Sequence, residues 1–148
     1  MDFQALRLRQ VEAALKTATV PDRPIAGWLR TIRATLGMTT SQLARRLNIA
    51  QSSVSSLERS EIDDRITLQA LRKAAAALDC ELHYVLVPRT SLSAMIDTAA
   101  DKLASALTEP VLHTMRLEAQ AAPLQENIEF AKNAKNTILA KNWKALWK

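Results

Sequence analysis

Residues 37–60 read GMTTSQLARRLNIAQSSVSSLERS, and this stretch decides the fold. Its spacing predicts two short helices joined by a tight turn, the first ending at Leu47 and the second beginning at Gln51. Two helices that cross closely at about a right angle need a small residue in the first one, and Ala44 supplies it. Asn48 suits the turn, because asparagine adopts the left-handed backbone conformation more readily than most residues.

The second of these helices, from Gln51 to about Arg59, offers short polar side chains to its surroundings. Val54 and Leu57 are its apolar positions, and glutamine and serine occupy most of the others. Such a face fits the major groove of DNA, where glutamine can read adenine and serine can act as donor or acceptor. Serine has a weak helix propensity, so a purely structural role explains this helix poorly.

Further short helices are predicted on both sides of this pair. One runs from Trp28 to Leu36 and is stopped by Gly37, and Thr39 or Thr40 caps the next one. After a polar loop over 60–66, Thr67 caps a helix over 68–78.

Residues 81–87 alternate in a different register and form the only strand candidate in the chain. A single strand must find a partner for its backbone, so we expect the same segment of a second subunit to pair with it as an antiparallel ribbon. The alternatives are a buried extended segment or a helical turn.

The sequence predicts additional helices at both ends of the chain. Residues 3–18 form an amphipathic helix that ends before a proline linker, and its apolar face packs either on the C-terminal part or on a second subunit. After Pro88, Ser91 or Ser93 caps another helix, Pro110 opens the next, and a last helix covers about 124–147. Its lysines suit the helix dipole, while its tryptophans, Trp143 and Trp147, are candidate partner anchors. The predicted organisation is an N-terminal helix (1–20), a linker (21–25), a helix-turn-helix domain (26–90) and a C-terminal partner or dimerisation region (91–148).

Composition excludes several classes of protein. The chain has 148 residues, of which 48% are apolar, and only two glycines, which rules out a dinucleotide fingerprint or a phosphate-binding loop. Cys80 stands alone, so a disulfide framework or a multi-cysteine zinc site is excluded. Neither His83 nor His113 lies in a local metal or catalytic motif, so we expect no cofactor, no metal and no enzymatic activity. No signal peptide and no membrane span stand out, and the expected location is the cytoplasm.

The charge is basic, at +5, and it is unevenly distributed. Between Gly27 and Arg59 the only acidic residue is Glu58, whereas five arginines occur there: Arg30, Arg33, Arg45, Arg46 and Arg59. Arginine is the side chain best suited to bidentate contact with phosphate or guanine. The charge alone leaves a solvated basic surface as an equal alternative.

Residues 33–58 resemble the lambda-repressor-like helix-turn-helix family, in its Cro/C1-type or XRE-type branch. The matching positions are Arg33, Gly37, Met38, Thr39, Leu43, Ala44, Leu47, Gln51, Val54, Ser55, Leu57 and Glu58. The resemblance implies a buried ion pair between Arg33 and Glu58, which leaves Arg30 and the other arginines available for phosphate. It also marks two departures: Thr40 stands where the family usually has a phosphate-contacting glutamine, and Asn48 stands where it usually has glycine.

A wider resemblance reaches almost the whole chain. Residues 6–10, 27–30, 66–92 and 113–118 are similar to the family called mobile mystery protein A. That family occurs beside a partner with a Fic domain, the fold of enzymes that transfer AMP to proteins. The resemblance implies an antitoxin-like regulator that represses its own operon and restrains the Fic-domain partner.

The sequence therefore predicts an all-α protein with a five-helix lambda-repressor-like core, an N-terminal helix, one short strand and a C-terminal helical extension. Its predicted function is that of a homodimeric repressor of a palindromic operator in double-stranded DNA, within a toxin–antitoxin operon. The alternative is a protein-binding inhibitor that neutralises a Fic-domain toxin through its terminal helices. The candidate DNA-binding residues are Thr39, Thr40, Arg45, Arg46, Gln51, Ser52, Ser53, Ser55, Ser56 and Arg59.

Overall fold

The computed structural model describes residues 2–118, 124–141 and 143–148, and all regular secondary structure in these ranges is helical. Its α-helices are α1 (Phe3–Lys16), α2 (Trp28–Thr35), α3 (Thr40–Leu47), α4 (Gln51–Ile62), α5 (Leu68–Ala77), α6 (Leu92–Leu117) and α7 (Leu124–Ala140), followed by a 3₁₀ helix (Trp143–Trp147). They belong to two compact units: a central unit (Ala18–Leu86) and a terminal unit (Met1–Thr17 and Val87–Lys148).

The central unit consists of α2 to α5 around one small apolar core. The residues buried together there are Leu29, Leu43, Ala44, Val54, Ala74 and Leu78. Each helix contributes at least one of them, so α3 and α4 are held in place by the core as well as by their turn. Four helices make up this unit, and the predicted five-helix core is not confirmed.

Both ends of α2 are fixed by glycine. At its C-terminus, Gly37 has a φ of 67°, its amide donates to Ala34, and the Met38 amide donates to Arg33, which is a Schellman cap. At its N-terminus, Gly27 has a φ of 78° and lies against the carboxylate of Glu61. The predicted stop at Gly37 is therefore explained by its left-handed conformation.

The predicted strand over 81–87 is wrong for the described chain, where this segment is neither helix nor strand. A strand exists only when its backbone groups pair with another extended segment, and the described ranges contain none. The alternation of side chains over 81–87 is therefore not sufficient to predict a strand. Several of them are exposed, including Tyr84 and Leu86.

The polar loop predicted to begin at Ser60 begins later. Helix α4 continues to Ile62, and the carbonyl of Ser60 accepts hydrogen bonds from the amides of Arg65 and Ile66 beyond the helix end. Thr67 then caps α5 as predicted, because its hydroxyl accepts from the Ala70 amide.

In the terminal unit, α1 packs on α6 through a specific polar contact. The carboxylate of Glu12 accepts hydrogen bonds from the backbone amide of Ser93 at 2.7 Å and from its hydroxyl at 2.9 Å. These two hydrogen bonds hold the pKa of Glu12 below its ordinary value, and the one from the Ser93 amide has the larger effect. The N-terminal helix therefore uses its own C-terminal part as a packing surface, one of the two alternatives for its apolar face.

Helices α6 and α7 form a hairpin in the same unit. The ammonium of Lys135 on α7 lies 2.9 Å from Asp101 and 3.4 Å from Asp97 on α6, and the hydrogen bond with Asp101 raises the pKa of Lys135. After α7, the indole of Trp143 donates to the carbonyl of Leu139. The predicted last helix thus divides into α7 and the 3₁₀ helix.

The sequence predicts that Pro110 begins a new helix, but the structure places this proline inside α6. Proline lacks its own amide hydrogen, so the helix loses the bond to the carbonyl four residues earlier while its other bonds remain. The Thr114 hydroxyl donates to the Pro110 carbonyl at 3.0 Å. Although α6 is long, no helix in the described part of the chain is both long and apolar enough to cross a membrane.

Candidate nucleic-acid interface

The turn between α3 and α4 has the geometry that the sequence predicts. Helix α3 ends at Leu47, and Asn48 adopts the left-handed conformation with a φ of 54°. The amide of Ile49 then donates to the carbonyl of Ala44 at 3.0 Å, which closes the turn on the small residue of α3. Helix α4 begins at Gln51, so only three residues separate the two helices.

One face of α4 is anchored in the central unit. Val54 is fully buried, and Glu58 and Glu61 on the same face are almost so. Glu58 pairs with Arg33 of α2 through two hydrogen bonds, 2.6 Å from Nε and 3.1 Å from Nη2. The Arg33 side chain also donates to the carbonyl of Met38, and its hydrogen bond with Glu58 raises the pKa of Arg33. The ion pair implied by the family resemblance is thus present.

The opposite face of α4 points into solvent. Ser52, Ser55, Ser56 and Arg59 follow one another at the spacing of a single helix face, and all four are exposed. Ser53 is also exposed, at the edge of this face. From Ser52 to Arg59 the outward surface of α4 therefore carries hydroxyls and one guanidinium, and a large apolar side chain is exposed only at the last residue of the helix, Ile62.

Gln51 lies at the start of α4 and is held by the start of α3. Its Nε2 donates to the hydroxyl of Thr40 at 2.9 Å, and its Oε1 accepts from the hydroxyl of Ser41 at 2.9 Å. A primary amide has a second N–H and a second lone pair, so Gln51 keeps one donor and one acceptor for a base edge. These two contacts fix the orientation of the amide that would read adenine.

Thr39 caps α3 and forms a capping box with Gln42. The Thr39 hydroxyl accepts from the Gln42 amide at 3.2 Å, and the Gln42 side chain accepts from the Thr39 amide at 2.8 Å. The position of Thr40 at the beginning of α3, where it can hold Gln51, follows from this cap.

The candidate arginines differ in what they contact. Arg45 and Arg59 are exposed, and within the described ranges neither guanidinium has a hydrogen-bond or ion-pair partner. Arg46 donates to the carbonyl of Ala77 at 3.0 Å and lies 3.3 Å from Asp79. Arg46 therefore ties α3 to the end of α5, while half of its side chain stays exposed.

Sequence reasoning missed a second acidic anchor of α4, Glu61. Its carboxylate accepts from the backbone amides of Trp28 at 2.8 Å and Leu29 at 2.9 Å, and so caps α2. Arg23, in the segment before α2, donates to the carbonyl of Glu61 and pairs with Asp64. The spacing of Glu58 and Glu61, three residues apart on one helix face, was the available signal. Ser41 was also missed as a partner of Gln51.

Comparison with protein families identifies one match. A family model described as helix-turn-helix matches residues 29–85. This range begins at the second residue of α2, includes all of α3, α4 and α5, and ends in the segment that follows α5. No curated protein and no solved structure matches the chain.

Proposed function

We propose that the chain is a sequence-specific repressor. Its residues 29–85 match an XRE-type helix-turn-helix domain, a domain typical of DNA-binding regulators. The observation that carries this proposal is the outward face of α4, where exposed serines, Gln51 and Arg59 replace the apolar side chains of a packing helix. In this function α4 enters the major groove, and its polar side chains contact base edges.

The phosphate contacts belong to the arginines around α4. Arg45 and Arg59 are exposed and have no partner within the described ranges, so their charges are available for the DNA backbone. Thr39 and Thr40 lie at the beginning of α3, where a helix end favours an anion. Contacts of this kind give affinity for any sequence, while Gln51 and the serines give the discrimination between sequences.

A repressor of this type reads a palindrome as a homodimer. Two copies place their recognition helices about 34 Å apart, which is one turn of the double helix. The bound site would therefore contain two inverted half-sites whose centres are about 10 base pairs apart.

Selection from a pool of random duplexes tests this function directly. The full chain should enrich one inverted repeat, and the same repeat should occur upstream of the gene that encodes it. Binding that is equal for all duplexes and that disappears with salt would refute sequence-specific repression, because it would come from charge alone.

A second candidate role is that of an antitoxin that binds a Fic-domain toxin. The observation in its favour is the terminal unit, which exposes large apolar side chains, among them Trp147 at 60%. In this role a Fic-domain protein encoded beside the chain should form a complex with the full chain when both are purified, and its AMP transfer should decrease when the complex forms. Unchanged AMP transfer and separate elution would refute the inhibitor role and leave DNA binding as it is.

A further inference from the structure

The last turn of α4 is positioned by polar contacts. Val54 is the one fully buried apolar residue of this helix, and beyond Leu57 its buried residues are Glu58 and Glu61. Apolar packing therefore fixes the middle of α4. The location of its last turn is determined by what the two carboxylates and the backbone of this turn contact.

The segment before α2 supplies several of these contacts. We call residues 23–29 the strap, and both of its ends are bound to Glu61. At one end, the Arg23 guanidinium donates to the backbone carbonyl of Glu61 at 2.9 Å. At the other end, the amides of Trp28 and Leu29 donate to the Glu61 carboxylate. The strap is therefore attached to α4 through a side chain as well as through its backbone.

Arg23 also completes the hydrogen bonding at the C-terminus of α4. The last carbonyls of an α-helix have no partner within the helix. Amides of the residues that follow α4 donate to the carbonyls of Arg59 and Ser60. Among the described residues, the carbonyl of Ile62 accepts from Arg23 alone, through Nη2 at 3.4 Å. The guanidinium thus lies at the negative end of the helix dipole, where it also pairs with Asp64.

The outward face of α4 extends almost to this turn. Ser55, Ser56 and Arg59 are its exposed members towards the C-terminus, whereas Gln51 lies at the other end and is held by α3. Recognition by hydrogen bonds requires that side chains stay within about 0.5 Å of their correct positions. A displaced last turn should therefore weaken base contacts, while contacts with the DNA backbone, which carry no sequence information, should change less.

We propose that Arg23 is a positioning residue for sequence discrimination, because it holds the last turn of α4 in the orientation that base reading requires. The inference rests on the proposed function, since it concerns the same helix in the same groove. Arg23 precedes residues 29–85, the range that matches the helix-turn-helix family. Discrimination between sequences by this chain therefore depends on a residue outside the matched range.

The substitution Arg23→Gln in the full chain tests this role. It removes the charge and the paired donors from the C-terminus of α4. The ratio of the affinities for operator and random duplex should decrease by about 3- to 10-fold, the effect of one lost hydrogen bond. The affinity for the random duplex and its salt slope should stay the same. A lower random-duplex affinity with a shallower salt slope would overturn the inference, because Arg23 would then be a phosphate contact.

The matched control is Arg65→Gln. Arg65 follows α4 in the same loop, and its guanidinium pairs with Asp63 rather than with the carbonyls of the helix. The control loses the same charge, so its ratio of operator to random affinity should equal that of the unmodified chain. An equal decrease of this ratio in both variants would overturn the inference.

Amide hydrogen exchange distinguishes positioning from a general loss of stability. The amides of Asp63 and Asp64 donate to carbonyls in the last turn of α4, whereas the Ile49 amide closes the turn before this helix. In Arg23→Gln, exchange at Asp63 and Asp64 should become at least about 10-fold faster, while exchange at Ile49 stays the same. Equal acceleration at all three amides would overturn the inference, because the whole unit would then be destabilised.

The unmodified chain separates the failure of this inference from the failure of the proposed function. If the unmodified chain binds all duplexes equally, the repressor function is refuted and the role of Arg23 is refuted with it. If the unmodified chain and Arg23→Gln discriminate between operator and random duplex to the same extent, only the role of Arg23 is overturned.

Discussion

The guanidinium of Arg33 and the carboxylate of Glu58 meet through two hydrogen bonds, and both side chains are almost completely removed from solvent. This pair connects α2 to the buried face of α4, directly behind the exposed serines. Because both charges are buried, each depends on the other for its stability. The orientation of α4 is therefore fixed by an ion pair as well as by Val54 and the core.

Removing one member of this pair should destabilise the fold strongly. Glu58→Ala leaves the Arg33 charge buried without its partner, and we expect a loss of about 3–5 kcal/mol in the free energy of unfolding. The matched control is Asp63→Ala, which breaks the solvent-exposed pair with Arg65 and should cost less than about 1 kcal/mol. Urea denaturation measures both values. Similar losses in the two variants would contradict the structural role of the buried pair.

Gln51 should determine sequence preference. Gln51→Ala removes the amide that Thr40 and Ser41 orient, and operator binding should weaken by about 1–3 kcal/mol while binding to random duplexes stays the same. Fluorescence anisotropy with both duplexes measures this difference. An equal loss on the two duplexes would contradict a base-reading role.

The orienting contacts of Gln51 can be tested separately. Ser41→Ala keeps the Gln51 amide but removes the donor to its Oε1, so discrimination between operator and random DNA should decrease by less than in Gln51→Ala. Retention of the full discrimination in Ser41→Ala would show that the contact does not position the amide.

Arg45 and Arg46 should behave differently although they are adjacent. Arg45→Gln should weaken binding to all duplexes and lower the salt slope by about 1, with no change in stability, because Arg45 has no partner within the described residues. Arg46→Gln should do the same and also lower the unfolding temperature, since it removes the contacts with Ala77 and Asp79. Salt titrations of binding and thermal denaturation measure the two effects. A normal unfolding temperature in Arg46→Gln would contradict its link to α5.

The contact between α1 and α6 should be lost in acid. Glu12 has a lowered pKa in the folded chain, so its stabilising effect is complete above the ordinary value of 4.5 and disappears as the pH falls through the folded value. The Ser93 amide resonance should titrate with a midpoint below 4.5, and Glu12→Gln should abolish this titration. A midpoint at or above the ordinary value would contradict the contact.

The local rules of helix ends explain how much of the fold could be predicted. Gly37, Asn48 and Thr67 each act through their own backbone or side chain, and the structure confirms the role predicted for each. The buried positions Ala44 and Val54 followed from helical spacing in the same way. Signals of this kind are contained within a few neighbouring residues, so a single sequence is sufficient to read them.

The remaining features depend on residues far apart in the chain. The capping of α2 by Glu61 joins positions 33 residues apart, and the spacing of Glu61 with Glu58 indicates a shared helix face without identifying the partner in α2. The strand prediction failed because pairing requires a second segment, which side-chain alternation does not provide. The preference of proline for the first turn of a helix predicts a helix start at Pro110, whereas α6 continues without interruption past this residue. Among the candidate site residues, Arg46 is the one with a partner far along the chain within the described ranges, and the sequence does not indicate this partner.

The close approach of Gly27 and Glu61 restricts how this chain can evolve. A β-carbon at position 27 would lie 2.9 Å from Oε2 of Glu61, and the backbone there is already left-handed. In a saturation mutagenesis library selected for operator binding, every amino acid other than glycine should be depleted at this position. Ile25, two residues earlier and fully exposed, should accept nearly any replacement. Tolerance to substitution therefore changes between Ile25 and Gly27, just before α2 begins at Trp28.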